Sequence, residues 1–278
     1  VRKQQFILLS SAVTLLILLV IFGKTINPNK PTVEPIQQPA VQQLNFNEIL
    51  NNAKQNLSPS QKIINQQLEG DITKGNDAQK VNVYNRLAVF WKDSAQVFEP
   101  YLFYLAEAAK LESSEKTLTF AAQQFTSSLL DVSEPSIQNW LATNAKVLFD
   151  KALTINPNND SSKIGLGACY ILGNISDNPM TGILPVREIA TKTPDNLYAQ
   201  LVLGLGGKKS RQFVKAIDRF LIIAKKQPNN LVVIIHLAEC YEMKGDKMNA
   251  VVWYLKAASL VGNAEIKKEI EKRISELK

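Results

Sequence analysis

Leu203 and Gly204 recur 34 residues later as Leu237 and Ala238, Ala216 and Phe220 recur as Ala250 and Tyr254, and Pro194 recurs as Pro228. A period of that length marks a helical solenoid: each repeat is a helix pair that cannot bury its apolar face alone and therefore stacks on its neighbours. A chain built this way is all-α and presents surface to other proteins.

The 278 residues are enough for one or two domains with a sizeable core. Lys and Arg outnumber Asp and Glu by 32 to 25. The excess in the repeat region is concentrated between Lys208 and Lys226, where seven basic residues meet the single acid Asp218. Such a run reads as a solvated helix face. A nucleic-acid site would add aromatic residues for base stacking; only Phe213 and Phe220 lie there, and Phe220 belongs to the repeat, so no nucleic-acid partner is expected. Cys169 and Cys240 occupy the same place in two different repeats, each directly before a Tyr. Several helix layers of roughly 8–10 Å each separate such positions, beyond the roughly 7 Å Cα limit of a disulfide. Both are expected to be free, buried thiols.

Residues 6–22 are apolar apart from Ser10, Ser11 and Thr14, and are flanked by Arg2, Lys3 and Lys24. Seventeen helical residues span roughly 26 Å, slightly short of a hydrocarbon core, and Lys3 and Lys24 can snorkel to cover the difference. The competing reading is a cleaved secretory signal, but Ile21, Phe22, Gly23, Lys24 and Thr25 offer no small-x-small cleavage site. Residues 1–23 are therefore expected to be an uncleaved signal anchor. A short basic end followed by a long chain places the repeats in the periplasm of a bacterium, on a single-pass anchor in the cytoplasmic membrane. Residues 24–43 carry Pro28, Pro31, Pro35 and Pro39 among Asn, Gln and Thr, a semi-rigid linker that reaches on the order of 60 Å at about 3.1 Å per residue.

The last repeat is the clearest. Ile234, Leu237, Ala238 and Tyr241 share a face of a helix over 231–244, Gly245-Asp246 breaks it and caps the next, and Ala250, Tyr254 and Ala257 share a face over 247–260. The pattern resembles the tetratricopeptide repeat, whose motif sets Leu-Gly-x-x-Tyr on the first helix and Ala, an aromatic and Ala on the second. The preceding unit matches at Leu203, Gly204, Ala216, Phe220 and Pro228 but has Gly207 in place of the Tyr. Another opens with Leu166, Gly167 and Tyr170, with three extra residues in the loop 174–182. The likeness is specific over 160–262. Over 79–159 it is weaker, resting on Ala145, Phe149 and Ala152 and on Leu87, Ala88, Trp91, Leu105 and Ala108. Before that, 46–57 and 58–74 read only as helices. Residues 44–159 are thus degenerate repeats, and the whole is expected to be a right-handed α-solenoid of four or five helix pairs. Ile266, Ile270, Ile274 and Leu277 share a face over 265–277, making 263–278 a cap for the last pair; a short coiled-coil helix is the alternative.

Nothing in the chain calls for catalysis, a cofactor or a metal. The single His236 rules out motifs that need two histidines. Gly165-Leu166-Gly167 meets Tyr170 where a dinucleotide loop requires a third Gly, and Glu239 with Glu242 reads as a pair of solvated charges. What the resemblance does imply is a concave groove lined by the first helix of each repeat: Ile164, Ala168 and Ile171, then Tyr198, Leu201, Leu205 and Lys208, then Val232, Ile235, Glu239 and Glu242. Relatives that clamp a peptide carboxylate use Lys, Asn and Arg at positions equivalent to Ile164, Ala168, Val202, Val232 and His236; all five differ, so no such clamp is expected. The groove reads as apolar with an acidic rim, suited to a protein or peptide segment such as an amphipathic helix. Filling by residues 46–57 or by the loop 175–183 is the intramolecular alternative. The expected function is a non-enzymatic binding scaffold or assembly factor; self-association into an oligomer and a helical-repeat envelope enzyme are the alternatives.

Overall fold

Three of the helix pairs begin with the same turn. Pro157-Asn158-Asn159, Pro194-Asp195-Asn196 and Pro228-Asn229-Asn230 each end on an Asn whose side chain accepts from the backbone N–H three residues on, of Ser162, Ala199 and Val233. This satisfies a donor that a helix start leaves free. The residues before the three prolines, Asn156, Thr193 and Gln227, leave the preceding helix at φ −131°, −129° and −128°. One short sequence signal therefore repeats one backbone geometry, and the pairs repeat with it.

The computed structural model describes residues 44–278 other than 130, 131, 133, 174 and 177. All of them fall in the unit Val41–Lys278. The expected anchor and linker, 1–43, lie outside the described residues. Among those described, no helix is long and apolar enough to cross a membrane.

Thirteen α-helices are described: α1 (Phe46–Gln55), α2 (Pro59–Ile72), α3 (Asp77–Val89), α4 (Phe98–Glu112), α5 (Glu115–Leu129), α6 (Pro135–Ile155), α7 (Asp160–Leu172), α8 (Met180–Lys192), α9 (Leu197–Lys209), α10 (Phe213–Lys226), α11 (Leu231–Met243), α12 (Lys247–Leu260) and α13 (Ala264–Leu277). From α3 onward they pack as five antiparallel pairs, α3/α4 to α11/α12, with α13 closing the last pair. This is the pairwise packing of tetratricopeptide repeats. The first helices of successive pairs also touch, α5 on α7 and α7 on α9, and form an inner row.

Register between pairs is set by size matching. Three second helices, α6, α8 and α10, present a side chain seven residues before the C-terminal cap to the next first helix. Phe149 of α6 meets Gly165, where an added Cβ would stand 2.1 Å from the ring. Val186 of α8 shares a buried cluster with Val202, and Phe220 of α10 stacks on His236 with centroids 5.3 Å apart. The lone histidine is thus held as packing.

The hairpin turns show one departure from good local chemistry. Gly245 turns the chain at φ +86°, and Arg211, the equivalent residue one repeat earlier, adopts φ +59°. A left-handed backbone is disfavoured for a residue with a Cβ by roughly 1–2 kcal/mol. Arg211→Gly is expected to raise stability by about 0.5–1 kcal/mol after the extra chain entropy of Gly is deducted; a denaturant titration that shows equal or lower stability contradicts this.

Two features depart from expectation. The helix carrying Leu87 and Ala88 stops at Val89, and Trp91 sits in a π turn, Phe90–Ser94, fully buried. Ile266 is 47% exposed while Ile270, Ile274 and Leu277 are buried, because it lies in the first turn of α13, beside the exit from α12. The cysteines are as expected, free and buried. Burial pushes the Cys169 thiol up to about 12 and the Cys240 thiol to about 11, so little thiolate is available to react. Neither is expected to react with Ellman's reagent until the chain unfolds, when both should; fast labelling of the folded protein would refute this.

Candidate functional site

The inner row opens into a cleft of ≈ 370 Å³ between α5, α7 and α9. Its apolar side is Ala168 and Leu172 of α7 with Tyr198, Leu201, Val202 and Leu205 of α9; the opposite wall is polar, Gln123, Gln124, Thr126 and Ser127 of α5. The helices are drawn together beneath it by a buried hydrogen bond between the Thr119 and Ser162 hydroxyls, 2.8 Å, and by Gln123 Nε2 donating to Ser161 Oγ, 2.9 Å. Burial raises the Tyr198 hydroxyl to about 12, and it stays protonated as a hydrogen-bonding group.

Of the eleven residues expected to line the groove, Ala168, Tyr198, Leu201 and Leu205 lie together here. Ile164 and Ile171 do not: they are 1% and 6% exposed and pack with Val186 and Ile189 of α8 and Ala199 and Val202 of α9, and Ile171 edges a separate cavity between α8 and α10. Val232 and Ile235 stand apart on α11, the first exposed and the second packed against the cluster that α13 covers. The α5 wall carried no signal in the sequence, where its residues fall within the weak likeness over 79–159. Thr126 and Gln123 become lining residues through pairing with a helix some 40 residues away.

The expected acidic rim is corrected by the ion pairs. Lys208 binds Glu239 across two repeats, and His236 Nδ1 lies 3.2 Å from both Lys208 Nζ and the same carboxylate. Glu242 is held by Arg273 of α13 and accepts from the Tyr254 hydroxyl at 2.9 Å. Both acids are neutralised within the body, and they fasten α9 to α11 and α13 to α11. For Glu239 burial raises the carboxyl, but hydrogen bonds from His236 and Lys208 and their charge outweigh it and leave it below the ordinary 4.5. A depressed carboxyl stabilises the fold above 4.5 and loses that contribution as pH falls through its folded value. The thermal midpoint is therefore expected to drop below about pH 4.5, less steeply in Glu239→Gln; identical slopes would contradict the pairing.

The apolar residues of the two intramolecular alternatives, Phe46 and Ile183, lie elsewhere. Phe46 of α1 stacks on Phe103 of α4 at 4.0 Å and on Trp140 of α6 at 6.0 Å, which places α1 against second helices. Of the residues expected in the loop 175–183, Met180 to Ile183 instead form the first turn of α8; Ile183 lines the separate cavity between α8 and α10, and Met180 is exposed.

No family model matches the chain. Among solved structures it is similar to PilW, a widely conserved type IV pilus biogenesis factor, at TM-score 0.51 and 20% identity over 73% of this chain and 87% of that one. It is also similar to YrrB, a tetratricopeptide-repeat protein with an unusual peptide-binding site (TM-score 0.45, 15% identity, 74% and 97% covered). A third is residues 41 to the end of MamA from Desulfovibrio magneticus RS-1 (TM-score 0.44, 20% identity, 67% and 96% covered). At these identities the likeness is one of fold.

Proposed function

We propose that this chain is a non-enzymatic protein-binding scaffold that holds a segment of a partner protein in the cleft between α5, α7 and α9. The observation that carries the reading is the two-sided lining. Tyr198, Leu201 and Leu205 present apolar surface while Gln123, Gln124 and Ser127 face them with hydrogen-bonding groups, a match for an amphipathic helix. Leu201 and Tyr198 are only partly covered by the chain itself. We further propose that residues 6–22 anchor the protein in a bacterial cytoplasmic membrane with the repeats in the periplasm, and that 24–43 space the cleft away from the bilayer. Assembly of an envelope structure fits this arrangement, and the structural neighbour PilW is itself a biogenesis factor.

The test is capture by crosslinking in intact membranes, comparing the natural chain with Leu201→Asp and with Val252→Asp on an exposed outer position. Proteins captured by the natural chain and by Val252→Asp but lost in Leu201→Asp are the expected result. Capture that is indifferent to Leu201→Asp would overturn the assignment.

A further inference from the structure

A second cavity, of ≈ 240 Å³, opens on the other side of the α9 layer, between α8 and α10. Its origin is a single departure from the repeat. Tyr170 of α7 and Tyr241 of α11 each stand between their own helix pair and the second helix of the pair before: Lys146 of α6 lies 6.0 Å over the Tyr170 ring, and Tyr241 packs against the cluster that holds Ala216, Ile217 and Phe220 of α10. The equivalent residue of α9 is Gly207, preceded by Gly206 where the other two helices carry Cys. Ile183 of α8, the equivalent of Lys146, lines the resulting hole, with Leu203 and Ile222 as further apolar walls. The cavity is the unfilled seat of the missing tyrosine.

Its rim is basic. Arg187, Lys215 and Arg219 stand around it against one acid, Asp218. Lys215 and Arg219 are hydrogen-bonded to the neutral amides of Gln212 and Gln200, each at 2.8 Å, and none of the three cations is ion-paired among the described residues. A hole of this size exceeds the roughly 150 Å³ that accommodates a benzene ring.

From the vacant seat and its rim we infer that this cavity is a docking site, distinct from the inner cleft, for a partner-protein segment that inserts one aromatic side chain and flanks it with carboxylates. The ring takes the place Tyr170 and Tyr241 fill in the neighbouring pairs, and the carboxylates compensate the rim cations, of which Arg187 and Arg219 carry planar guanidinium groups suited to bidentate pairing.

The test is fluorescence anisotropy of a dye-labelled peptide, Asp-Glu-Tyr-Glu-Asp, titrated with the full chain in detergent. Saturable binding is expected, weakened by at least about tenfold when the peptide's Tyr is replaced by Ala, as for a buried aromatic anchor. Gly207→Tyr, which refills the hole, should weaken it similarly. An added Cβ at Gly207 stands 3.3 Å from Ala216, so the α9/α10 spacing must yield slightly. Should that variant misfold by circular dichroism, Arg187→Glu with Lys215→Glu, both on exposed residues, decides the matter through the same loss. Leu201→Asp should leave the peptide's affinity unchanged, which separates this site from the inner cleft. Absence of saturable binding, or binding indifferent to the refilled hole and to the reversed rim, overturns the proposal. Self-association of the chain that Gly207→Tyr abolishes, without peptide binding, overturns it as well, because the occupant would then be a second copy.

Discussion

Replacing Phe149 by alanine is expected to lower the stability of the fold by about 3–5 kcal/mol, the usual cost of deleting a fully buried phenyl ring in a core that cannot collapse around the hole. The ring is 0% exposed, and it joins α6 to α7 where the main core cluster, which runs from Ala53 to Cys169, meets the clear repeats. Collapse is hindered because the partner across the contact is a glycine, which has no side chain to swing into the void. The same geometry makes a coupled prediction. Gly165→Ala alone is destabilising, since its Cβ would sit 2.1 Å from Phe149 Cζ. In the Phe149→Ala background that clash is gone, and Ala recovers up to about 1 kcal/mol of helix propensity over Gly. A double-mutant cycle with denaturant titrations should therefore show strong coupling. Additive effects would mean the ring and the glycine are not in contact.

The second large effect concerns the C-terminal cap. Removing 264–278 takes Ile270, Ile274 and Leu277 off the α11/α12 pair. At roughly 1.5–3 kcal/mol for each buried side chain, the loss is about 5–9 kcal/mol as an upper bound. It also removes Arg273 and leaves Glu242 with only the Tyr254 hydroxyl. Repeat arrays are stabilised by nearest-neighbour interfaces, so the damage should be local. Hydrogen exchange should accelerate in α11 and α12 while α5 and α6 stay protected, and the uncovered face should drive concentration-dependent association, visible in light scattering. Uniform loss of protection along the chain would show a single cooperative unit instead.

How far the structure could be read in advance depended on the range of the interaction involved. Local signals were legible: α12 occupies the 247–260 expected from its apolar spacing, Gly245 makes the turn and Asp246 caps with its side chain on the Asn249 N–H. The same held for Ala250, Tyr254 and Ala257, whose small-large-small face is intrinsic to one helix. What failed was long-range. Ile164 looked like groove surface because its position in α7 is an inner-row position. Its burial comes from side chains brought in by other helices, Val186 and Ile189 of α8 and Ala199 and Val202 of α9. Glu239 and Glu242 looked like a solvated acidic pair because their cations, Lys208 and Arg273, each sit 31 residues away on other helices. Gly207 was visible as a departure from the repeat, but only packing shows that the departure leaves a cavity.

The inner cleft is tested most directly by placing a photo-crosslinking amino acid at Tyr198 and, separately, at Met248, which is 79% exposed on the outer face of α12. The cleft reading predicts a discrete crosslinked species from position 198 that disappears when Leu201→Asp is added, and none of that mass from position 248. The same species from both positions, or one from 198 that survives Leu201→Asp, would contradict it.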